Sequence, residues 1–153
     1  MVPDTVLDLV EIGVSPHSAR GITQTIAPIT SGDLRRTVNG ALVDLTRPSL
    51  RKYRSEIRGS DLWPPAFGGL WVGQLVTVHC AAELTQAAST PLERPAVPGS
   101  VVYRDAEGNS LSDSTGAAWV TYRPILSCRV VRWDVERDEW GEIVSWSLSL
   151  EEA

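Results

Sequence analysis

"WVTYRPILSCRVVRWDVERDEWGEIVSWSLSLEE", Trp119–Glu152, is the stretch whose reading decides the fold. Its last third alternates strictly: Val144, Trp146, Leu148 and Leu150 are apolar, and Ser145, Ser147 and Ser149 fall between them. Successive side chains on a strand point to opposite faces, so the segment reads as a strand with one face buried and one face wet. Val131, Trp133 and Val135 share a face in the same way and supply a partner strand. The residues between, Arg137 to Gly141, form a five-residue connection with Gly141 near its end, which suits a hairpin containing a bulge.

Working outward, the same period recurs. From Leu75 to Thr85, the residues Val76, Val78, Cys80, Ala82 and Leu84 fall on one face and Thr77, His79 and Glu83 on the other, which reads as one half-buried strand. Asn39-Gly40 lies between Val38 and Ala41 and predicts a tight type I′ hairpin, which needs positive φ at both central residues. "TVLDLVEIGV" (5–14) and "GITQTIAPIT" (21–30) read as strands split by the loop "SPHSAR", and Pro28 confines the second to a sheet edge or a strand end. "VVYRDAEGNSLSD" (101–113) predicts a short hairpin around Glu107-Gly108-Asn109, followed by a mobile tip at "STGAAW". "RPSLRKYRSEI" (47–57) fits a helical turn through Leu50, Tyr53 and Ile57, and a strand through Tyr53, Ser55 and Ile57; strand is preferred. The expected fold is therefore all-β: an antiparallel β-sandwich or barrel-like domain with long loops and little helix.

A chain of 153 residues is about one domain long and can bury a real core, and its apolar fraction of 42% is that of a folded protein. We expect a single domain over residues 1–153, within which the Pro-, Ala- and Ser-rich segment 86–100 is a surface connection. No apolar run reaches the roughly 18 residues of a membrane span. "MVPDTVLDLV" lacks the basic-then-apolar pattern of an export signal, so synthesis in the cytoplasm is expected. Cys80 and Cys128 are too few for a disulfide framework and read as buried free thiols.

Tests for chemistry fail one by one. His79 and Cys80 are neighbours on a strand and point to opposite faces, which prevents them from sharing a metal, and His17 reads as a solvated loop residue. Ser49 and Lys52 form S-x-x-K without the companion elements of a serine acylase. Glu136, Asp138, Glu139 and Glu142 carry the functional groups of a glycosidase pair, but around a hairpin turn they are more simply solvated charges that protect a strand end. No catalytic residue, metal or cofactor is assigned.

Charge is distributed unevenly. Arg47, Arg51, Lys52, Arg54 and Arg58 oppose only Glu56 in "RPSLRKYRSEIR", whereas from Asp134 onward seven carboxylates, among them Asp138, Glu139, Glu142, Glu151 and Glu152, oppose only Arg137. In the simpler reading both segments are solvated faces or neutralise each other within one monomer. In the sharper one they lie on different edges and orient head-to-tail association of identical copies into a ring. Nucleic acid is not an expected partner, because the net charge is −5 and only Tyr53 interleaves with the basic run.

Taken together, "ARGITQTIAPITSGDLRRTVNGALVDLTRPSLRKYRSEIRGSD", "GGLWVGQLVTVHCAAEL" and "TYRPILSCRVVRWDVERDEWGEIVSWSLSLEE" resemble small structural tail proteins of long-tailed double-stranded DNA bacteriophages. The likeness spans most of the chain apart from the Pro-rich connection and contains no catalytic motif. It implies a β-sandwich-like core with long loops reaching neighbours, the segment from Thr85 to Gly99 being one such loop. It also implies a homo-oligomer located in the virion tail, whose partners are other tail proteins: tube, hub and fibres. No long helix of the kind many tube subunits pack beside their sandwich is legible, which favours a tail-tip or baseplate position. Two rival functions are a carbohydrate-binding module using Trp63, Trp71, Trp119 and Trp140, with Trp133 and Trp146 buried, and a cell-wall-degrading enzyme using the carboxylate cluster.

Overall fold

The computed structural model describes residues 4–29 and 34–153, in which strands and a single 3-10 turn at Pro48–Leu50 are the regular structure. The strands are β1 (Asp8–Leu9), β2 (Thr23–Pro28), β3 (Leu34–Arg36), β4 (Leu42–Asp44), β5 (Tyr53–Asp61), β6 (Leu75–His79), β7 (Leu84–Ala87), β8 (Val102–Arg104), β9 (Ser110–Leu111), β10 (Trp119–Tyr122), β11 (Ile125–Arg137) and β12 (Val144–Glu152). A six-stranded antiparallel sheet, ordered β1-β6-β11-β12-β5-β2, curls into a half barrel; a second sheet is ordered β7-β10-β8-β9, and β3 pairs with β4 alone. The all-β expectation holds. Among the described residues, no helix is long and apolar enough to cross a membrane.

The C-terminal hairpin is the centre of the large sheet. β12 pairs along its length with β11 on one side and β5 on the other, from Val144↔Asp61 to Glu151↔Arg54 on the β5 side. Val144, Trp146, Leu148 and Leu150 are all buried, as their alternation predicts. The partner face in β11 differs from expectation. Leu126, Cys128 and Val130 are the buried residues of its first half, and the register then shifts so that Val130 pairs with Leu150 while Arg132 pairs with Ser149. Val131 is the extra residue of this bulge and faces solvent, so it does not share a buried face with Trp133. The bulge reconciles even-numbered core positions before it with Trp133 after it. The hairpin thus contains the expected bulge, within β11, and pairing closes at Arg137↔Val144, so the connection is Asp138–Ile143 rather than Arg137 to Gly141.

The segment from Leu75 to Thr85 is not one strand. β6 places Val76 and Val78 in the core and ends at His79, and Cys80 is still buried, but β7 belongs to the second sheet. The partner strand breaks at the same level: β11 pairs with β6, β10 pairs with β7, and Pro124 stands between β10 and β11. Proline has no N–H with which to continue a ladder. On the other side of the corner, the Gln24 side-chain oxygen accepts from the N–H groups of Ala81 (2.7 Å) and Ala82 (3.1 Å). One bent ribbon thereby feeds both sheets.

Other local readings resolve in the same terms. "RPSLRKYRSEI" is both things in sequence, a 3-10 turn and then β5. "TVLDLVEIGV" contributes only the two residues of β1, a short edge strand of the kind that resists edge-to-edge pairing. β2 forms the opposite edge and ends at Pro28; Thr30 and the stretch to Asp33 lie outside the described residues. The Asn39-Gly40 hairpin is present, but only Gly40 has positive φ (82°), and its N–H bonds the Thr37 carbonyl at 2.9 Å. This is an ordinary turn through Val38-Asn39 closed by a left-handed glycine, in place of type I′.

Two tryptophans of the C-terminal hairpin close the half barrel. Trp146, only 4% exposed, lies across Gly59 of β5, donates its indole N–H to the Ser18 carbonyl at 2.7 Å and meets the Phe67 ring edge-on at 5.4 Å. Trp133 donates to the Leu70 carbonyl at 2.8 Å and also packs against Phe67, its ring tilted at 5.4 Å. The inner face of the sheet is thus covered by Leu7, Ala19, Phe67 and Leu70 from the N-terminal segment and the β5–β6 loop. Arg20 fastens the first of these covers, its guanidinium reaching Asp61 at 2.7 Å and its own N–H at 3.0 Å. Those side-chain bonds from Arg20 hold the Asp61 carboxyl well below the usual carboxylate range.

A Cβ on Gly59 would lie 2.6 Å from the Trp146 ring, so Gly59→Ala must displace the indole. The substitution is expected to lower stability by about 1–3 kcal/mol in urea unfolding. Gly68→Ala, where a Cβ meets nothing within 4 Å, should cost much less. Equal effects would contradict the packing of Trp146 on Gly59.

Candidate functional site

Where β5 meets β12, the two charged segments lie side by side rather than on different edges. β5 and β12 are hydrogen-bonded neighbours in the interior of the six-stranded sheet, with Arg54 opposite Glu151 and Arg58 opposite Ser147. The premise of separate edges is therefore corrected for these residues, because the long β5–β12 ladder puts them side by side. Arg54, Glu56 and Arg58 point to the outer face, opposite buried Ser55 and Ile57. There Arg58 bonds Glu56 at 2.6 Å, Arg132 lies 3.5 Å from Asp134, and Ser147 donates to Asp134 at 2.9 Å. That face is a mixed ladder that largely compensates its own charge.

Glu152 is the most deeply committed of the candidates. Its carboxylate accepts from Arg94 Nε (2.9 Å) and from the Tyr53 N–H (3.0 Å), while Arg94 also donates to the Arg51 carbonyl and stacks over the Tyr53 ring at 5.1 Å. One carboxylate thus joins the end of β12, the start of β5 and the connection 86–100. That connection is held again where Val97, buried, donates to the Arg123 carbonyl and the Pro95 carbonyl accepts from Ile125.

The remaining candidates divide between the two ends of the sheet. Arg47, Arg51 and Lys52 stand around the 3-10 turn at the Tyr53 end of β5, beside a cleft of about 510 Å³ lined by Leu34, Asp44, Leu50, Tyr53 and Arg94. Asp138, Glu139 and Glu142 stand in the β11–β12 connection at the Asp61 end, all exposed.

What sequence reasoning missed is the company these charges keep. Among the described residues, β3 and β4 touch each other and no other strand, and Leu34, Leu42 and Val43 along them and Leu45 just beyond are all exposed. At the other end, the acidic connection carries Trp140 (89% exposed) and Ile143 (52%), with Val135 beside them. The run of leucines and valine at 42–45 was a visible signal for the first; nothing in the alternation distinguishes an exposed apolar tip from a core one for the second.

The thiols and histidines offer no alternative centre. Burial pushes the Cys80 thiol up to about 11 and the Cys128 thiol up to about 12, so both stay neutral and unreactive. His17 is an exposed loop residue, as expected, and is also constrained: its φ is +56°, its N–H bonds Asp4 at 2.8 Å and its ring meets Trp63 edge-on. It lines a cleft of about 960 Å³ together with His79, Asp8 and Arg123. No grouping of three or more His, Cys, Asp or Glu suited to a metal occurs among the described residues. No protein-family model matches the chain, and no curated protein or solved structure matches it.

Glu152→Gln is expected to lower stability by roughly 1–3 kcal/mol, because Arg94 loses its charged acceptor in a half-buried site. The change should appear as a lower urea midpoint with self-association unaltered. Unchanged stability with altered association would instead make Glu152 an interface residue.

Proposed function

We propose that the chain is a non-catalytic structural subunit of the tail of a long-tailed double-stranded DNA bacteriophage, at the tail tip or baseplate, where copies associate with one another and with tube, hub or fibre proteins. The observation that carries the assembly role is the β3–β4 arm. A two-stranded hairpin is marginal in water unless one face is covered. This one exposes apolar residues on both faces: Leu34 and Leu42 on one, Val43 on the other. An arm built that way acquires its core from a neighbour. The tail setting rests on the resemblance of the sequence segments quoted above, and the self-sufficient half barrel with a projecting element is consistent with it.

A second reading has one observation in its favour. Trp63, Trp71, Trp119 and Trp140 are all exposed, as a sugar-binding module requires, while Trp133 and Trp146 are used in the core. They are distributed over four separate turns and strand ends, one of them engaged edge-on by His17, rather than assembled as a single platform.

The two readings separate in one preparation. Antibody labelling of imaged particles should place many copies of the chain at the tail tip, and titration with host glycans should leave its tryptophan fluorescence unchanged. Absence from purified particles would overturn the structural role, and a saturable fluorescence change with glycan would favour the carbohydrate reading.

A further inference from the structure

The assembly reading leaves open what covers the arm, and the chain itself carries a surface of matching chemistry. Residues 34–52, comprising the arm and its base, contain Arg35, Arg36, Arg47, Arg51 and Lys52 against Asp44 alone, a net charge of +4. Residues 134–143, the end of β11 and the hairpin connection, contain Asp134, Glu136, Asp138, Glu139 and Glu142 against Arg137 alone, a net charge of −4. Each surface is also apolar: Leu34, Leu42, Val43 and Leu45 on the arm, Val135, Trp140 and Ile143 on the tip, all exposed. Arg132, near Asp134, offsets part of the acidic charge at the base of the tip, but the charges beyond it stand free of that pair.

Within one chain these surfaces stay apart. The arm leaves the sheet at the Tyr53 end of β5, where Pro28 pairs with Tyr53, and the tip emerges at the Asp61 end, where Val144 pairs with Asp61. Eight residue steps of extended strand separate the two ends by roughly 26 Å. Among the described residues, the arm's strands contact no other strand.

We propose that the β3–β4 arm of one copy docks on the Asp138–Ile143 tip of a second copy, with Trp140 and Ile143 covering the leucines and Val43, and the arginines of the arm facing the carboxylates of the tip. The inference deepens the assembly role proposed above by naming the partner. The interface is head-to-tail: each copy offers one arm and one tip, so association closes into a ring or continues as a filament. It keeps Arg47, Arg51 and Lys52 of the basic segment and Asp138, Glu139 and Glu142 of the acidic one, and leaves out Arg54, Arg58 and Glu151, which lie side by side in the β5–β12 ladder, and Glu152, which Arg94 holds. Charge steers the encounter and exclusion of Trp140 from water holds it, so added salt weakens association without abolishing it.

The test uses two neutral substitutions, Leu42→Ser in the arm and Trp140→Ser in the tip, followed by sedimentation over a concentration series. Wild type should associate, with a blue shift of Trp140 emission, and each variant alone should associate roughly tenfold more weakly or less. A mixture of the two has one intact arm and one intact tip between them, so it should form one-to-one dimers that grow no further. Circular dichroism and urea midpoints should match wild type, since both positions are exposed; Val43→Ser and Ile143→Ser serve as replacements should either fail to fold. A monomeric wild type, a variant that associates normally, or a mixture that yields no dimer would overturn the proposal. A monomeric wild type that is nevertheless present in particles would sink this pairing and leave the tail role standing. Head-to-tail chains from a protein missing from particles would do the reverse.

Discussion

Trp146 lying across Gly59 is the contact on which the rest of the molecule depends. It exists because β12 and β5 pair in one register, and that register brings the glycine directly opposite the indole. The same ring then reaches out of the sheet to the Ser18 carbonyl and to Phe67, so one side chain joins the central strands to both segments that cover them. Slipping the register by one residue would turn Val144, Trp146, Leu148 and Leu150 to solvent together. Burying four such side chains is worth several kcal/mol, of the order of the net stability of a small domain, which is why the hairpin determines the architecture.

The half barrel completes its own core and leaves its ends unfinished. Inside, the polar groups that tie the covers to the sheet are met locally: the indole N–H groups of Trp133 and Trp146 find carbonyls, Asp61 finds Arg20, and Glu152 finds Arg94. Outside, apolar residues with charge of one sign project at the Tyr53 end and apolar residues with charge of the other sign at the Asp61 end. That contrast supports reading the chain as a building block whose chemistry is association. It also explains why the carboxylate cluster near Gly141, suggestive of catalysis in the bare sequence, is better understood by its neighbours Trp140 and Ile143 than by its acids.

How much of this was legible in the sequence depended on whether periodicity carried the information. Val144 to Leu150 alternates without interruption, and its buried face was read directly. β11 defeated the same reading because a bulge adds one residue without altering composition, and Val131 looks no less apolar than Val130. The corner at Cys80 was hidden for a related reason: alternation continues through Ala82 and Leu84, while the break comes from Gln24 and Pro124, far away in the chain. Among the candidate site residues, the charge asymmetry was plain, but the pairing of β5 with β12 is a tertiary fact. It sets Arg54 and Arg58 beside β12 within the monomer, as the simpler of the two readings of the charge asymmetry has it.

The central claim is that the body folds alone and the arm does not, and hydrogen exchange at the backbone amides measures that difference directly. In dilute monomer, the amides of Arg35 to Val43 should exchange almost as fast as an unstructured chain, while those of Ile57 and Leu148 are protected by the full stability of the sheet. In the associated state, the arm should gain protection by orders of magnitude and the sheet should change little. An arm already protected in the monomer to the level of β5 would contradict the account.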